Sequence, residues 1–476
     1  MTTRPRLPLL AVSFLLALAT TAAAEVKLPS LFASHMVLQR DRAAPIWGTA
    51  AAGETVHVLL GKQLAKVKAD DAGKWRAELR PQPAGGPHTI VIEGADSRIQ
   101  IDDVYFGEVW ICSGQSNMAW SVSRSTNAET EIAAADWPKI RFFKVPLVPA
   151  AEPQDDCAGR WYVCGPKTVA DLSAVGYFFG RELHKELDVP IGMLQTSWGG
   201  TLAEAWTSRE ALEAKENLKP ILERIETVKG DQNRASHLYN GMLHMLIPYG
   251  IRGAIWYQGE SNVTRAEQYA TLFPTMIGDW RARWGQGDFP FYFVQLAPFH
   301  YNGQPEPDFL AEQWDSQLKT HRSVPNTGIA VTTDIATLGD IHPPNKQDVG
   351  KRLALWALAR DYGRSGLVYS GPLYRSHETE DGKIRIRFDH AGRGLSSRDG
   401  QPLTEFTVAG ADQKFVPAEA QIDGDSIIVW SEEIAAPAAV RFGWRNVAQP
   451  NLMNKDGLPA SPFRTDDWPL KTAGQY

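Results

Sequence analysis

The sequence predicts an α/β fold: a three-layer central domain with a parallel sheet covered on both faces, set between N-terminal and C-terminal β-rich, sandwich-like units. Three observations carry this. Residues 106–365 hold continuous apolar runs, the pattern of strands buried on both faces, with stretches of helical periodicity between them. Residues 25–105 and 366–476 instead alternate apolar and polar residues in short runs broken by turns. The length of 476 residues suits about three domains, at roughly 150 residues each.

In the first unit, Thr55–Leu60, Trp75–Leu79 and His88–Ile92 read as strands, with turns at Asp70–Gly73 and Ala84–Pro87. In the central region the runs ending at Ile111, Thr196, Tyr257, Leu296 and Thr332 read as buried strands. Leu172–Leu187 and Val349–Ala359 carry apolar residues at helical spacing; Val349, Leu353, Trp356 and Ala357 share one face. Strand alternating with helix implies a parallel sheet, and polar clusters follow several strands where such sheets place their ligands. In the last unit, Lys383–Phe388 has strict period two, followed by Ser426–Trp430 and Ala439–Trp444.

The composition, 43% hydrophobic and 22% charged, excludes disorder, collagen and coiled coil. A net charge of −6 gives no general pull toward nucleic acid or anionic membrane. At the N-terminus, Arg4 and Arg6 precede the apolar stretch Leu7–Ala19 and the small residues Ala22–Ala24. This is the three-part pattern of a secretory signal peptide spanning 1–24, so the mature chain is expected to begin at Glu25, in the periplasm or secreted, with no membrane association after cleavage. Export permits disulfides; Cys157 and Cys164 are close enough in sequence to pair across a short loop, and Cys112 is expected as a buried free thiol.

Three clusters in the central region carry chemistry. Cys112–Met118 follows a buried strand, and Ser116 at a strand-to-helix turn exposes a hydroxyl beside its own backbone N–H. Met118 stands where the second glycine of G-x-S-x-G would be. Trp256–Asn262 follows another strand, and Gln258 or Asn262 offers an amide donor for an oxyanion. Gly199 and Gly200 follow a third strand and can bring a backbone N–H near the same oxygen. The segment Asp334–Lys346 holds His342, with Asp340 two residues away to fix its tautomer and stabilise its charged form. Together these fit a Ser/His/Asp hydrolase. Metal-ligand, P-loop and dinucleotide motifs are not found, so no metal or cofactor is expected.

The blocks Gly114–Met118, Trp256–Asn262 and Asp340–Pro343 resemble the signatures of the sialate O-acetylesterase family, in the SGNH (GDSL-like) hydrolase superfamily. The resemblance includes the opening Leu31–Gln39 and the closing Asn454–Asp466. It implies an SGNH-hydrolase-like central domain and a serine esterase that removes acetyl groups from carbohydrates. It assigns Ser116 as nucleophile, His342 as base and Asp340 as its partner, with an oxyanion hole from the Ser116 backbone, a glycine of Gly199–Gly200, and Gln258. Many relatives in the superfamily place the Asp three residues before the His, so Asp334 or Glu260 stands as a substitute or helper. The usual third-block Asn is replaced or displaced, leaving Gln258 and Asn262 both open.

The expected partner is an acetylated carbohydrate, either a sialoglycan or a plant hemicellulose such as xylan or xyloglucan. The rival readings are a catalytically weak carbohydrate-binding protein and a lipase or thioesterase. Trp120, Trp198, Trp206, Trp256 and Trp314 lie near the motifs as candidates for sugar stacking, and Arg124 or Arg209 for a sialate carboxylate.

Overall fold

A computed structural model describes residues 25–301 and 308–476. The signal-peptide reading of 1–24 falls outside the described residues. Strands β1 (Val37–Gln39), β2 (Ala44–Thr49), β3 (Thr55–Leu60), β4 (Gln63–Lys68), β5 (Lys74–Leu79) and β6 (Gly85–Glu93) lead into β7 (Arg98–Gly114). The central region adds β8 (Trp137–Lys144), β9 (Arg160–Cys164), β10 (Ile191–Ser197), β11 (Gly253–Tyr257), β12 (Phe291–Val294) and β13 (Thr327–Ala330). Its helices are α1 (Ser116–Ala119), α2 (Ala128–Ala133), α3 (Ala174–Leu187), α4 (Arg209–Glu213), α5 (Lys219–Glu223), α6 (Ala266–Trp284), α7 (Phe309–Ser323) and α8 (Lys346–Arg360).

Strand β7 organises the molecule. Its first half pairs antiparallel with β6 and parallel with β1, and its second half is the middle of a sheet ordered β13-β12-β11-β7-β10-β8-β9. All pairs in that order are parallel except β8–β9. The chain goes to one side of β7 for β8–β10 and to the other for β11–β13, so the sheet's topological switch point lies at the end of β7, where open α/β sheets bind ligands. Residues 106–111 are all buried, consistent with helices on both faces. Trp110 packs at 5.0 Å from Phe179 of α3 on one face, and Trp256 meets Phe273 and Trp280 of α6 on the other.

After α8 come two antiparallel four-stranded sheets, β14 (Leu373–Glu380), β15 (Lys383–Asp389), β20 (Ser426–Trp430), β19 (Glu419–Asp423) and β18 (Phe415–Pro417), β17 (Phe406–Ala409), β21 (Ala439–Phe442), β23 (Phe463–Arg464), in those orders. A small pair, β16 (Leu395–Ser397) and β22 (Leu452–Asn454), completes them. Arg464 joins this unit to the central domain through Asp315 of α7, 3.2 Å away.

The structure departs from the sequence reading in three places. The N-terminal unit does not end at residue 105, because that boundary falls inside β7, which both units share. Gly85, Gly86 and Pro87, expected in a turn, open β6 beside a register shift, where a strand tolerates such residues. Cys157 and Cys164 are both free: the Cys157 thiol turns instead to Ser30, whose hydroxyl oxygen is 3.7 Å away, while Cys164 is buried at the end of β9. Cys112 is free and buried as well, with its thiol pushed up to about 12 by burial.

At the end of β7, Gly114 pairs with Ser197 on one side and Tyr257 on the other. Its φ is +137°, and a Cβ there would stand 2.2 Å from the Tyr257 carbonyl oxygen. Gly114→Ala is therefore expected to cost about 2–5 kcal/mol through the disfavoured φ and a forced backbone shift. Urea unfolding checks this; a variant as stable as the parent contradicts it.

Candidate active site

The register of β10, β7 and β11 brings three loops to one edge. Ser197, Gly114 and Tyr257 are level across the sheet, so residues 115–119, 198–201 and 258–262 leave it side by side. The Gln115 N–H donates to Tyr257 O at 2.9 Å, and the Trp198 N–H donates to Gly114 O at 3.0 Å, which tie the loops together. Ser116 opens α1, where a helix leaves its first N–H groups free for a ligand oxygen. Gly199 lies against it: a methyl group at Gly199 would be 3.3 Å from Ser116 Cβ. Gly200, at φ +73°, turns the chain beyond it.

His342 comes from the loop between β13 and α8. Its Nε2 lies 2.9 Å from Ser116 Oγ. One Asp340 oxygen accepts the backbone N–H of His342 at 2.8 Å and stands 3.4 Å from His342 Nδ1. That side-chain distance exceeds the roughly 3 Å of a tight hydrogen bond, because the same oxygen is also held by the backbone. A carboxylate on Nδ1 favours the tautomer whose Nε2 accepts a proton, so the hydroxyl of Ser116 can be activated as a nucleophile. Trp120 stacks on the imidazole, with ring centroids 4.8 Å apart.

The two alternative carboxylates go elsewhere. Asp334 accepts both arms of Arg352 on α8, at 2.7 and 2.6 Å. Glu260 accepts from Asn117 Nδ2 at 2.6 Å, and its second oxygen is buried. Gln258 does not offer a free amide: its Nε2 donates to Thr201 O at 3.1 Å and Asn262 Oδ1 at 2.7 Å, while Tyr269 donates to its Oε1 at 3.2 Å. Asn262 donates one amide hydrogen to Glu204 at 2.9 Å, and its Oδ1 accepts from the Ala203 N–H at 3.1 Å and from Gln258. Gln258 thus spends both amide hydrogens on Thr201 and Asn262, whereas Asn262 Nδ2 spends one of its two on Glu204. The backbone of Gly199 lies against Ser116 at the opening of α1.

Two residues to which the sequence gave no role, Asn117 and Lys346, belong to this site, and Trp120, expected to stack on sugar, stacks on the imidazole instead. Lys346, at the first position of α8, is fully buried and donates to Asn117 Oδ1 at 2.5 Å. A buried lysine in the first turn opposes the helix dipole, which is the signal the sequence held. Burial lowers Lys346 to about 7 and raises Glu260, with Lys346 and Asn117 partly offsetting the rise. Of the tryptophans, Trp206, Trp256 and Trp314 are fully buried core, leaving Trp120 and half-buried Trp198 near the site. The Arg124 guanidinium lies 3.5 Å over the Trp120 ring, whereas Arg209 pairs with Glu213 on α4. Among the described residues, no group of His, Cys, Asp or Glu is arranged to hold a metal ion.

Burial holds the His342 pKa below the ordinary histidine value of 6.5; Asp340 opposes this, while Lys346 and Arg124 add to it. The imidazole is therefore neutral, and able to accept a proton, down to pH values below 6.5. An NMR titration of His342 should give a midpoint below 6.5; a midpoint above it contradicts this electrostatic picture.

A family model for "Carbohydrate esterase, sialic acid-specific acetylesterase" matches residues 106–359. A mouse sialate O-acetylesterase is 30% identical, covering 86% of this chain and 88% of the relative. A human sialate O-acetylesterase is 34% identical over 72% of this chain and 73% of its own. A solved carbohydrate acetylesterase from Xanthomonas citri is 41% identical and superposes with a TM-score of 0.87, covering 93% of this chain and 100% of that one. A match to more than half the chain by the family model, together with relatives at 30% identity or more along most of its length, makes this protein a carboxylic ester hydrolase that belongs to the sialic acid-specific acetylesterase family of carbohydrate esterases.

Proposed function

We propose that the chain is an exported serine esterase that removes O-acetyl groups from sugars through an acetyl-serine intermediate. The observation that carries this reading is the 2.9 Å contact between Ser116 Oγ and His342 Nε2 at the switch point of the sheet. In this reading His342 Nε2 takes the Ser116 proton as Oγ attacks the acetyl carbonyl. The backbone N–H groups of Ser116 and Gly199 hold the oxyanion; one such donor is worth roughly 3–4 kcal/mol. His342 then gives its proton to the departing sugar oxygen, takes one from the water that attacks the acetyl-serine, and returns it to Ser116 Oγ as acetate leaves. Asp340 orients the imidazole throughout.

The acidic sugar sialic acid is the favoured acetyl carrier. Arg124 is exposed, propped on the tryptophan that covers His342, and makes no ion pair among the described residues. It offers a planar fork for a sugar carboxylate beside the reacting ester. Acetate release from O-acetylated sialosides should exceed that from acetylated xylan and xyloglucan. Arg124→Ala should raise KM for the sialosides about tenfold, one lost ionic hydrogen bond, with little change in hydrolysis of a neutral aryl acetate at alkaline pH, where His342 is neutral with or without Arg124. Faster release from the neutral polysaccharides, with Arg124→Ala without effect, contradicts the acidic-sugar reading and favours hemicellulose.

Ser116→Ala should lower turnover by about 10⁴-fold or more with the fold intact. Asp340→Asn should lower it by about 10²–10⁴-fold. Asp334→Asn, by contrast, should loosen α8 and reduce stability while leaving turnover per folded molecule nearly the same. A reversed ranking of the two Asp variants in steady-state assays on an aryl acetate would transfer the orienting role to Asp334.

A further inference from the structure

The Asn117 carboxamide sits where three loops converge. Its Nδ2 donates to Glu260 Oε1 at 2.6 Å and to the Ile341 carbonyl at 3.0 Å, and its Oδ1 accepts from Lys346 Nζ at 2.5 Å. Both amide hydrogens and the oxygen are thus occupied, and Asn117 and Lys346 are buried. The partners allow one orientation only. The Ile341 carbonyl only accepts at any pH, and the Lys346 ammonium, the form held below about pH 7, only donates, as the Glu260 carboxylate only accepts. A flipped amide would set its NH₂ against Lys346 and its oxygen against Glu260 and Ile341, three unfavourable contacts in a dry site.

The sequence positions of these contacts give them their meaning. Asn117 follows Ser116, and Ile341 precedes His342. The amide therefore joins the loops carrying the two reacting side chains one residue away from each. Glu260 anchors it to the loop after β11, and Lys346 to the first turn of α8. We propose that Asn117 is a positioning residue, whose carboxamide, locked in one orientation by Lys346 and Glu260, holds the 2.9 Å approach of Ser116 to His342. The inference rests on the esterase reading above and adds to it a three-residue clamp that touches neither substrate nor the reacting atoms.

A clamp that acts as a unit has a distinct energetic signature. Removing any one member should release the others, so the losses should not multiply. A misplacement near 1 Å at a reacting centre costs on the order of 10²-fold in rate. The experiment measures kcat and KM on an aryl acetate, with thermal unfolding alongside, for Asn117→Ala, Lys346→Met, the double variant, Glu260→Ala and Glu260→Gln. Each of the first two should lower kcat about 10²-fold with KM within about threefold, and the double variant should be no slower than the worse single. Glu260→Gln retains an oxygen that accepts from Asn117 and should be about tenfold faster than Glu260→Ala.

Multiplicative losses in the double variant overturn the proposal, as does kcat in Asn117→Ala within threefold of the parent. If Asn117→Ala fails to fold, Lys346→Met decides: a fall in kcat at constant KM supports the clamp, and an unchanged kcat overturns it. Ser116→Ala is run in parallel. Activity surviving there would sink the esterase reading, whereas independent losses in an enzyme that Ser116→Ala silences would sink the clamp alone.

Discussion

The site depends on one close approach of backbones at the end of β7. Gly114 is flanked by Ser197 and Tyr257 in parallel register, and no side chain fits between it and the Tyr257 carbonyl. That contact sets Ser116 at the opening of a short helix and places Gly199 against it. The loop after β13 then needs only to fold back over the sheet edge to bring His342 to the hydroxyl. The long β7 makes the N-terminal strands part of the same framework, so the site rests on elements from both units.

Around this framework the polar groups are arranged in two tiers. At the surface, Arg124, Trp120 and His342 form a stack that leaves one face of the imidazole covered and a cation beside it. Below, Lys346 and Asn117 are withdrawn from water, and Asn117 links Lys346 to Glu260, whose second oxygen is buried without a partner among the described residues. Burial disfavours the charged forms of His342, Lys346 and Glu260 alike. The lower tier is costly to break, because each partner left behind would be a buried polar group without a mate.

The strands were legible wherever a single pattern ran from end to end. Thr55–Leu60, Gly253–Tyr257 and Ser426–Trp430 coincide with β3, β11 and β20. Strand β7 was not, because half of it alternates and half is continuous, so one strand read as two domains. Ser116, Asp340 and His342 stood out because they follow strand ends or share a loop, and the fold brings them together. The amide of Gln258 did not declare its partners: a glutamine that lines an oxyanion hole and one bonded to Thr201 and Asn262 are the same residue in a sequence. Asn117 and Lys346 lie 229 residues apart, and nothing short of the folded chain joins them.

The central claim is a covalent acetyl group on Ser116. Rapid acid quench during turnover of an O-acetylated substrate, followed by peptide mass spectrometry, tests it directly. The account predicts a transient acetyl mass on the peptide that contains Ser116, absent when substrate is exhausted. An acetyl group on another residue, or turnover with no acetylated peptide at any time, would contradict it.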